Sequence, residues 1–146
     1  MGTILDTTVF VEFERATRTL PAERAMQTVS ERLEDRLGAD DEVAIAAITA
    51  SELLHGVHRA NEEHRARREA FVAGVLDAFP VLSFDLLVAR VHSRLWAGVA
   101  SSGADVGAHD RIVAATAMST GWRVGTANVR HFERIPGLST KLITLT

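Results

Sequence analysis

The stretch that decides the fold lies near the start of the chain and reads Thr3-Ile4-Leu5-Asp6-Thr7-Thr8-Val9-Phe10. Its first part, Thr3-Ile4-Leu5, is a short apolar run of the kind that forms a buried strand, and Asp6 ends it. Apolar residues at helical spacing follow, with Thr7 or Thr8 near the N-cap of the helix. The stretch therefore predicts a strand that ends in a carboxylate and is followed at once by a helix.

The same order of short strand and amphipathic helix continues along the chain. Helical spacing of apolar residues predicts helices over 22–37, 48–60, 84–101 and 108–119, and another between Asn61 and Pro80. Short apolar runs predict strands at 43–46, 81–83, 122–126 and 142–145. Alternating strands and helices form right-handed crossovers, so we expect an α/β fold: three α/β/α layers with a central parallel sheet.

Composition limits the class of protein. The 146 residues, 47% of them hydrophobic, suit one globular domain spanning residues 1–146. The absence of cysteine excludes a disulfide scaffold, a cysteine-ligated metal and thiol catalysis. No apolar run reaches the roughly 18 residues of a membrane span, and the first residues lack the pattern of a signal peptide, so we expect a soluble, cytoplasmic protein. The net charge of −3 argues by itself against a nucleic-acid partner.

Three carboxylates fall where predicted strands end or helices begin: Asp6, Glu52 and Asp110. Each also has a purely structural explanation. Asp6 is suited to a helix cap, and Asp110 complements the dipole of the helix in which it lies. Glu52 stands three residues after Thr49, the spacing of a capping box. None of the three carboxylates indicates a functional site by itself.

Together the three carboxylates indicate a metal site, because the predicted topology brings them to the same edge of one sheet. Crowded carboxylates repel one another unless a cation compensates, and oxygen ligands suit Mg²⁺ or Mn²⁺. Thr126 and Asn128 follow the strand at 122–126 and add neutral oxygens there. Such a site would polarise a phosphoryl oxygen and activate water, which favours metal-assisted phosphodiester hydrolysis.

Four blocks of the sequence, in this order, resemble the motifs of PIN-domain ribonucleases, in particular the VapC-type toxins of bacterial toxin–antitoxin pairs. The blocks are ILDTTV at 4–9, ITASELLHGV at 48–57, GAHDRIVAATA at 107–117 and TANVRHFERIPGL at 126–138. Each block is weak by itself, but four in order cover nearly the whole chain. The resemblance implies cleavage of single-stranded RNA with one or two Mg²⁺ ions, for which Mn²⁺ substitutes.

The resemblance also implies roles for particular residues. Asp6 and Asp110 match the main metal-binding aspartates, and Glu52 matches the motif glutamate, which acts as a ligand or through water. Thr8 matches the hydroxyl residue that orients the first aspartate, and Thr126 matches a supporting polar residue. The implied partners are an RNA substrate, single-stranded or structured, an antitoxin protein that covers the site, and a second copy in a homodimer.

The chain departs from the family pattern at the fourth acidic position. Many relatives have aspartate where this chain has Asn128 or His131, which leaves the number of metal ions open. Asp105 is an alternative carboxylate in the preceding loop. We expect Arg111, Arg130 and His131, close to the motif blocks, to guide RNA, and Asn128 to belong to the supporting shell with Thr8 and Thr126.

Two other functions stay open at this stage. A haloacid-dehalogenase-type phosphatase also begins with a strand-terminal aspartate, but its chemistry needs a second aspartate at the position of Thr8. A module that keeps the fold and binds RNA or protein without catalysis is compatible with the weakened fourth position.

Several aromatic and basic residues have a structural and a functional interpretation. Phe10, Phe13 and Met26 on the first helices are candidates for a docking surface or for the core. We expect Trp96 and Trp122 in the core, which leaves no evident platform for stacking bases. The basic run at 55–68 is more typical of a solvated helix face than of an RNA contact.

Overall fold

The computed structural model of the chain describes residues 1–144. Within them the strands are β1 (Gly2–Leu5), β2 (Glu42–Ala46), β3 (Val81–Leu82), β4 (Arg123–Thr126) and β5 (Thr140–Leu142). The helices are α1 (Thr7–Ala16), α2 (Ala22–Leu37), α3 (Ala47–Arg59), α4 (Glu62–Ala78), α5 (Leu86–Ser102) and α6 (Ala108–Thr120), and a 3₁₀ turn covers Val129–His131.

The strands form one parallel sheet in the order β3-β2-β1-β4-β5, so β1 lies at its centre. Neighbouring residues of β1 face opposite sides. Leu5 packs in a cluster with Phe10, Val29 and Val75, whereas Ile4 packs in a second cluster against α5 and α6. Apolar side chains on both faces explain why the strand reads as a continuous apolar run. The predicted α/β/α architecture is confirmed.

The last strand lies two residues earlier than predicted. β5 covers Thr140–Leu142 and pairs with β4 in the register Val124 to Thr140 and Thr126 to Leu142. Its residues are exposed or half-buried, because an edge strand is specified by its backbone pairing more than by apolar content. The end of the predicted strand, Leu145, lies outside the described residues.

The predicted capping box of α3 is wrong. The helix begins at Ala47 with Ala46 as its N-cap, so Thr49 already lies inside the helix. Its hydroxyl is buried and has no hydrogen-bond partner among residues 1–144. Glu52 is therefore not needed to cap the helix, and its side chain is available to the site described below.

Two expectations about aromatic residues are settled by burial. Phe10 and Phe13 are fully buried in the core, so they are not a docking surface. Trp96 is not in the core, since 53% of its surface is exposed, whereas Trp122 is half-buried and packs against the second cluster. None of the helices within residues 1–144 has the length and apolar character needed to cross a membrane.

Packing around Gly125 predicts a cost for any side chain on the middle of β4. A Cβ atom there would lie 2.6 Å from Ile143 Cδ1 and 2.8 Å from Thr3 Cγ2. We expect Gly125→Ala to lower the free energy of unfolding by about 1–3 kcal/mol, measured by urea denaturation.

Gly98 provides the matched control for this prediction. It lies inside α5 with no atom within 4 Å of an added Cβ, so Gly98→Ala should raise stability by about 0.5–1 kcal/mol. A Gly125→Ala protein as stable as the wild type would contradict the tight packing at this strand.

Candidate active site

A cleft of about 390 Å³ lies at the carboxyl edge of the sheet. Asp6 enters it from the end of β1, Glu52 from α3 and Asp110 from the first turn of α6. The structure thus brings together the three carboxylates that the sequence singled out. The other polar residues that line the cleft are Thr7, Thr8, Glu12, Arg15, Asn128 and His131.

Asp6 has the most constrained carboxylate of the site. Its backbone N–H donates to Gly125 O (3.0 Å), and its side chain caps α1 by accepting from Thr8 N (3.2 Å). The hydroxyl of Thr8 donates to Oδ1 (2.6 Å) and that of Thr126 to Oδ2 (3.0 Å). Asp6 is only 3% exposed, so its orientation is fixed by the fold.

The two threonines are themselves held by the chain that follows β4. Ala127 N donates to Thr8 Oγ1 (3.0 Å), and Asn128 N donates to Thr126 Oγ1 (3.0 Å). Since each hydroxyl accepts from a backbone N–H, its own hydrogen is left for Asp6. The supporting role expected for Thr8 and Thr126 corresponds to direct contacts in the structure.

Glu52 is positioned by residues from two other helices. Thr7 Oγ1, in α1, donates to Oε1 (2.8 Å), and His109 Nδ1, in α6, lies 3.4 Å from Oε2. The Glu52 side chain is one-third exposed, so it faces the open part of the cleft.

Asp110 is oriented by His131, which is oriented in turn by Asn128. Asn128 Oδ1 accepts from Arg130 N (3.2 Å), so its amide nitrogen faces His131 Nε2 at 3.0 Å. The other ring nitrogen of His131, Nδ1, lies 3.6 Å from Asp110 Oδ2. Asn128 thus supports the site through its contacts with Arg130 N in the 3₁₀ turn and with the His131 ring.

The cleft disfavours negative charge. Burial raises the pKa of Asp6 to about 6, although hydrogen bonds from Thr8 and Thr126 oppose the shift and the Asp110 charge adds to it. Burial also raises the pKa of Asp110, against the effect of His131, and the Glu52 charge acts in the same direction as burial. In the folded chain, hydrogen bonds and nearby positive charges therefore do not fully compensate for the burial of the Asp6 and Asp110 carboxylates.

These carboxylates could hold a divalent metal ion. Ligand atoms of Asp6, Asp110 and His131 all lie within 4.8 Å of one another. A cation there would compensate the buried negative charge that raises both carboxyl pKa values, and carboxylate oxygens are ligands that Mg²⁺ and Mn²⁺ accept. The residues present fit such an ion.

Two of the residues expected to guide RNA lie outside the lining of the cleft. Arg111 does not line the cleft, and its guanidinium donates to Val106 O (2.7 Å). Arg130 is exposed beside the cleft, and of the three only His131 lines it. Asp105, the alternative carboxylate, is also exposed and absent from the lining.

The site also contains Arg15, Glu12 and His109, which the sequence patterns did not single out. Arg15 and Glu12 line the cleft from α1. Glu12 lies four residues after Thr8, and Arg15 lies three residues after Glu12. This helical spacing indicates that the three polar residues share one face of α1. No local signal pairs His109 with Glu52, because α3 and α6 are far apart in the sequence.

Most of the chain is similar to proteins of one family. Residues 3–138 match the PIN domain family. The chain is 32% identical to "Ribonuclease VapC1" of Rickettsia felis over 94% of this chain and 93% of the relative. It is 35% identical to "tRNA(fMet)-specific endonuclease VapC" of Salmonella typhimurium over 66% of this chain and 71% of the relative.

A solved structure shows the same fold. The DNA-bound VapBC structure from Salmonella typhimurium superposes with a TM-score of 0.76 and 28% identity, covering 99% of both chains. The parallel-sheet fold of this chain is thus that of a known class of α/β proteins. This chain belongs to the PIN-domain family and, within it, to the VapC-type ribonucleases.

The raised pKa of Asp6 predicts how stability depends on pH. A carboxyl whose pKa is about 6 in the folded state and lower in the unfolded state binds more protons when folded, so stability falls as pH rises through this interval. In the presence of a chelator, we expect the wild type to lose about 2 kcal/mol more than Asp6→Asn between pH 4 and pH 7.

Urea denaturation of both proteins at the two pH values measures this difference. Asp105→Asn removes an exposed carboxylate outside the cleft and should follow the wild type. Equal pH dependence of the wild type and Asp6→Asn would show that burial of Asp6 does not disfavour its charge.

Proposed function

We propose that this protein is a Mg²⁺-dependent endoribonuclease that cleaves single-stranded RNA and is the toxin of a toxin–antitoxin pair. The observation that carries the proposal is the placement of Asp6 and Asp110 in one cleft, with hydroxyl donors that fix the buried carboxylate. Membership of the VapC-type ribonucleases supports RNA as the substrate.

Asp6 and Asp110 would bind the metal ion. His131 would either be a third ligand of the ion or orient Asp110. When bound, Mg²⁺ neutralises negative charge, polarises a phosphoryl oxygen and lowers the pKa of water; Mn²⁺ can take its place. Thr8, Thr126 and Asn128 form the shell that holds the two carboxylates in place.

Glu52 has a different role in this proposal. Its ligand atoms are not part of the three-residue group that contains Asp6 and Asp110. The carboxylate nevertheless opens to the same cleft and is held by Thr7 and His109. It is therefore suited to positioning the attacking water, and to accepting its proton, next to the scissile phosphate.

Relatives suggest the partners of the chain. The Salmonella relative is named as specific for tRNA(fMet), so tRNA is the first structured RNA to test. Solved neighbours are VapBC complexes, including one from Haemophilus influenzae. We propose that an antitoxin protein covers the cleft of this chain and that the chain forms a homodimer.

The assignment of the two aspartates predicts a large loss of activity on their neutralisation. Asp6→Asn and Asp110→Asn should each lower the rate of RNA cleavage by more than about 100-fold, because a metal ion supplies several kcal/mol to the transition state. Cleavage of a mixed RNA pool with Mg²⁺ measures the rates, and circular dichroism checks the fold.

Asp105→Asn is the matched control, since it removes a carboxylate from the loop just before α6. It should cleave RNA like the wild type. Undiminished cleavage by both Asp6→Asn and Asp110→Asn would overturn the assignment of the site.

The metal requirement separates this function from its two rivals. We expect EDTA to stop RNA cleavage and added Mg²⁺ or Mn²⁺ to restore it, with no turnover of a generic phosphate monoester. Monoester turnover would favour a phosphatase. Absence of cleavage under every metal condition would favour a binding module without catalysis.

A further inference from the structure

A continuous groove leads away from the active-site cleft, between α1 on one side and α3 and α4 on the other. The cleft shares Thr7, Arg15 and Glu52 with an inner hollow of about 350 Å³. This inner hollow shares Arg18 and Arg68 with an outer cavity of about 680 Å³. We call the inner hollow and the outer cavity together the arginine groove, and the arginines that line it are Arg15, Arg18, Arg59, Arg67 and Arg68.

The arginines of the groove follow one another away from the cleft. Arg15 lines both the cleft and the inner hollow. Arg18 and Arg68 line both the inner hollow and the outer cavity. Arg59 and Arg67 line the outer cavity and not the inner hollow. The groove thus presents positive charge at successive positions, beginning at the active site.

Positive charge is in excess among the side chains that line the groove. Within residues 1–144, the acidic residues of the lining are Glu14 and Glu52, and Glu52 belongs to the cleft. Glu14 is paired with Arg68, whose Nη2 lies 3.0 Å from Glu14 Oε1. The other groove arginines are exposed and form no ion pair or side-chain hydrogen bond within the described chain: Arg15, Arg18, Arg59 and Arg67. Their charges are therefore available to a ligand, although the net charge of the protein is −3.

The fold separates the charges of the basic run at 55–68, for which the sequence pattern favours a solvated helix face. Arg59, Arg67 and Arg68 of this run line the arginine groove, together with His64. The glutamates that alternate with them along α4 lie outside the lining: Glu62, Glu63 and Glu69. The groove therefore receives the positive charges of a segment whose negative charges lie elsewhere.

Charge and continuity with the cleft favour an RNA strand as the occupant of the groove. A phosphodiester chain is negatively charged at every phosphate, so a strand with one phosphate in the cleft needs positive charge along the path by which it leaves. Proteins that bind single strands have a positively charged groove that tracks the backbone. An acidic peptide would also match the arginines, but its inner end would meet the carboxylates of the cleft. A phosphodiester chain continues there to a phosphate that a bound metal ion neutralises.

We propose that the arginine groove binds the backbone phosphates of the RNA strand on one side of the scissile bond. The inference rests on the proposed ribonuclease function and extends the substrate site beyond the nucleotides in the cleft. Arg15 and Arg18 bind the phosphates nearest the cut, and Arg59 and Arg67 bind those farther along the strand. Contacts to phosphates position the strand without reading its sequence.

Salt dependence of RNA binding tests the groove without requiring cleavage. The Asp6→Asn protein prevents cleavage, and fluorescence anisotropy measures its affinity for labelled oligouridylate of about 10 nucleotides, within the range of single-strand site sizes. We expect Arg18→Gln and Arg67→Gln in this background each to lower the slope of log K against log salt by about 0.7, the value for one phosphate contact on a single strand. Glutamine keeps a polar side chain, so the change reports the lost charge.

Arg94→Gln is the matched control for these variants. Arg94 is exposed on α5, whose apolar side packs in the second core cluster, and it does not line the groove. Its substitution removes the same charge from the protein, so it should leave the salt slope unchanged. All three arginines are exposed, and we expect the three variants to keep the wild-type unfolding midpoint.

The length of the RNA gives a second measurement, made with an intact active site. Arg67→Gln should raise KM for a long single-stranded RNA and leave kcat close to that of the wild type, because Arg67 does not line the cleft. Inhibition by a dinucleotide, which has a single phosphodiester to place in the cleft, should be the same for Arg67→Gln and the wild type. A general loss of structure would change both measurements.

The outcomes distinguish this inference from the proposed function. Lower salt slopes for Arg18→Gln and Arg67→Gln, with a wild type that cleaves no RNA, would support the groove and count against the nuclease proposal. RNA cleavage with unchanged slopes and unchanged KM in these variants would overturn the groove alone. Weaker binding of oligoglutamate by the same variants, with unchanged slopes for oligouridylate, would also overturn it and assign the groove to an acidic protein segment.

Discussion

The carboxylate of Asp6 is the interaction on which both the fold and the site depend. It ends the central strand, caps the first helix and accepts hydroxyl donors from Thr8 and Thr126. A carboxylate with 3% exposure is costly to keep charged, and its raised pKa shows that the hydrogen bonds only partly compensate. The protein therefore gives up stability at neutral pH in order to hold this group in a fixed orientation, as functional sites often do.

The distribution of charge explains how an acidic chain can serve an RNA substrate. Of its 19 acidic residues, Asp6, Glu52 and Asp110 meet in the cleft, where a bound cation would reverse the local sign. Helix α5, by contrast, contains Arg90 and Arg94 and no acidic residue. The net charge of −3 is an average over these regions, so it argues against a uniformly basic RNA-binding surface and not against RNA cleavage.

Much of the fold could be predicted because it depends on local patterns. Apolar periodicity fixed the helices to within a few residues, and the alternation with short strands was sufficient for a parallel sheet. β5 was misplaced because an edge strand is specified by pairing with β4. The capping box at Thr49 and Glu52 was wrong for a related reason, since the same spacing occurs inside a helix whose start lies earlier.

By itself the sequence determined which residues are candidates for the chemistry, because residue type and position at a strand end can be recognised locally. Only the tertiary structure decided how these residues are used. The pairing of Glu52 with His109, the orientation of Asp110 by His131 and the exposure of Trp96 all depend on how distant helices pack. Periodicity shows which face of a helix is apolar, but not whether another helix covers a given ring.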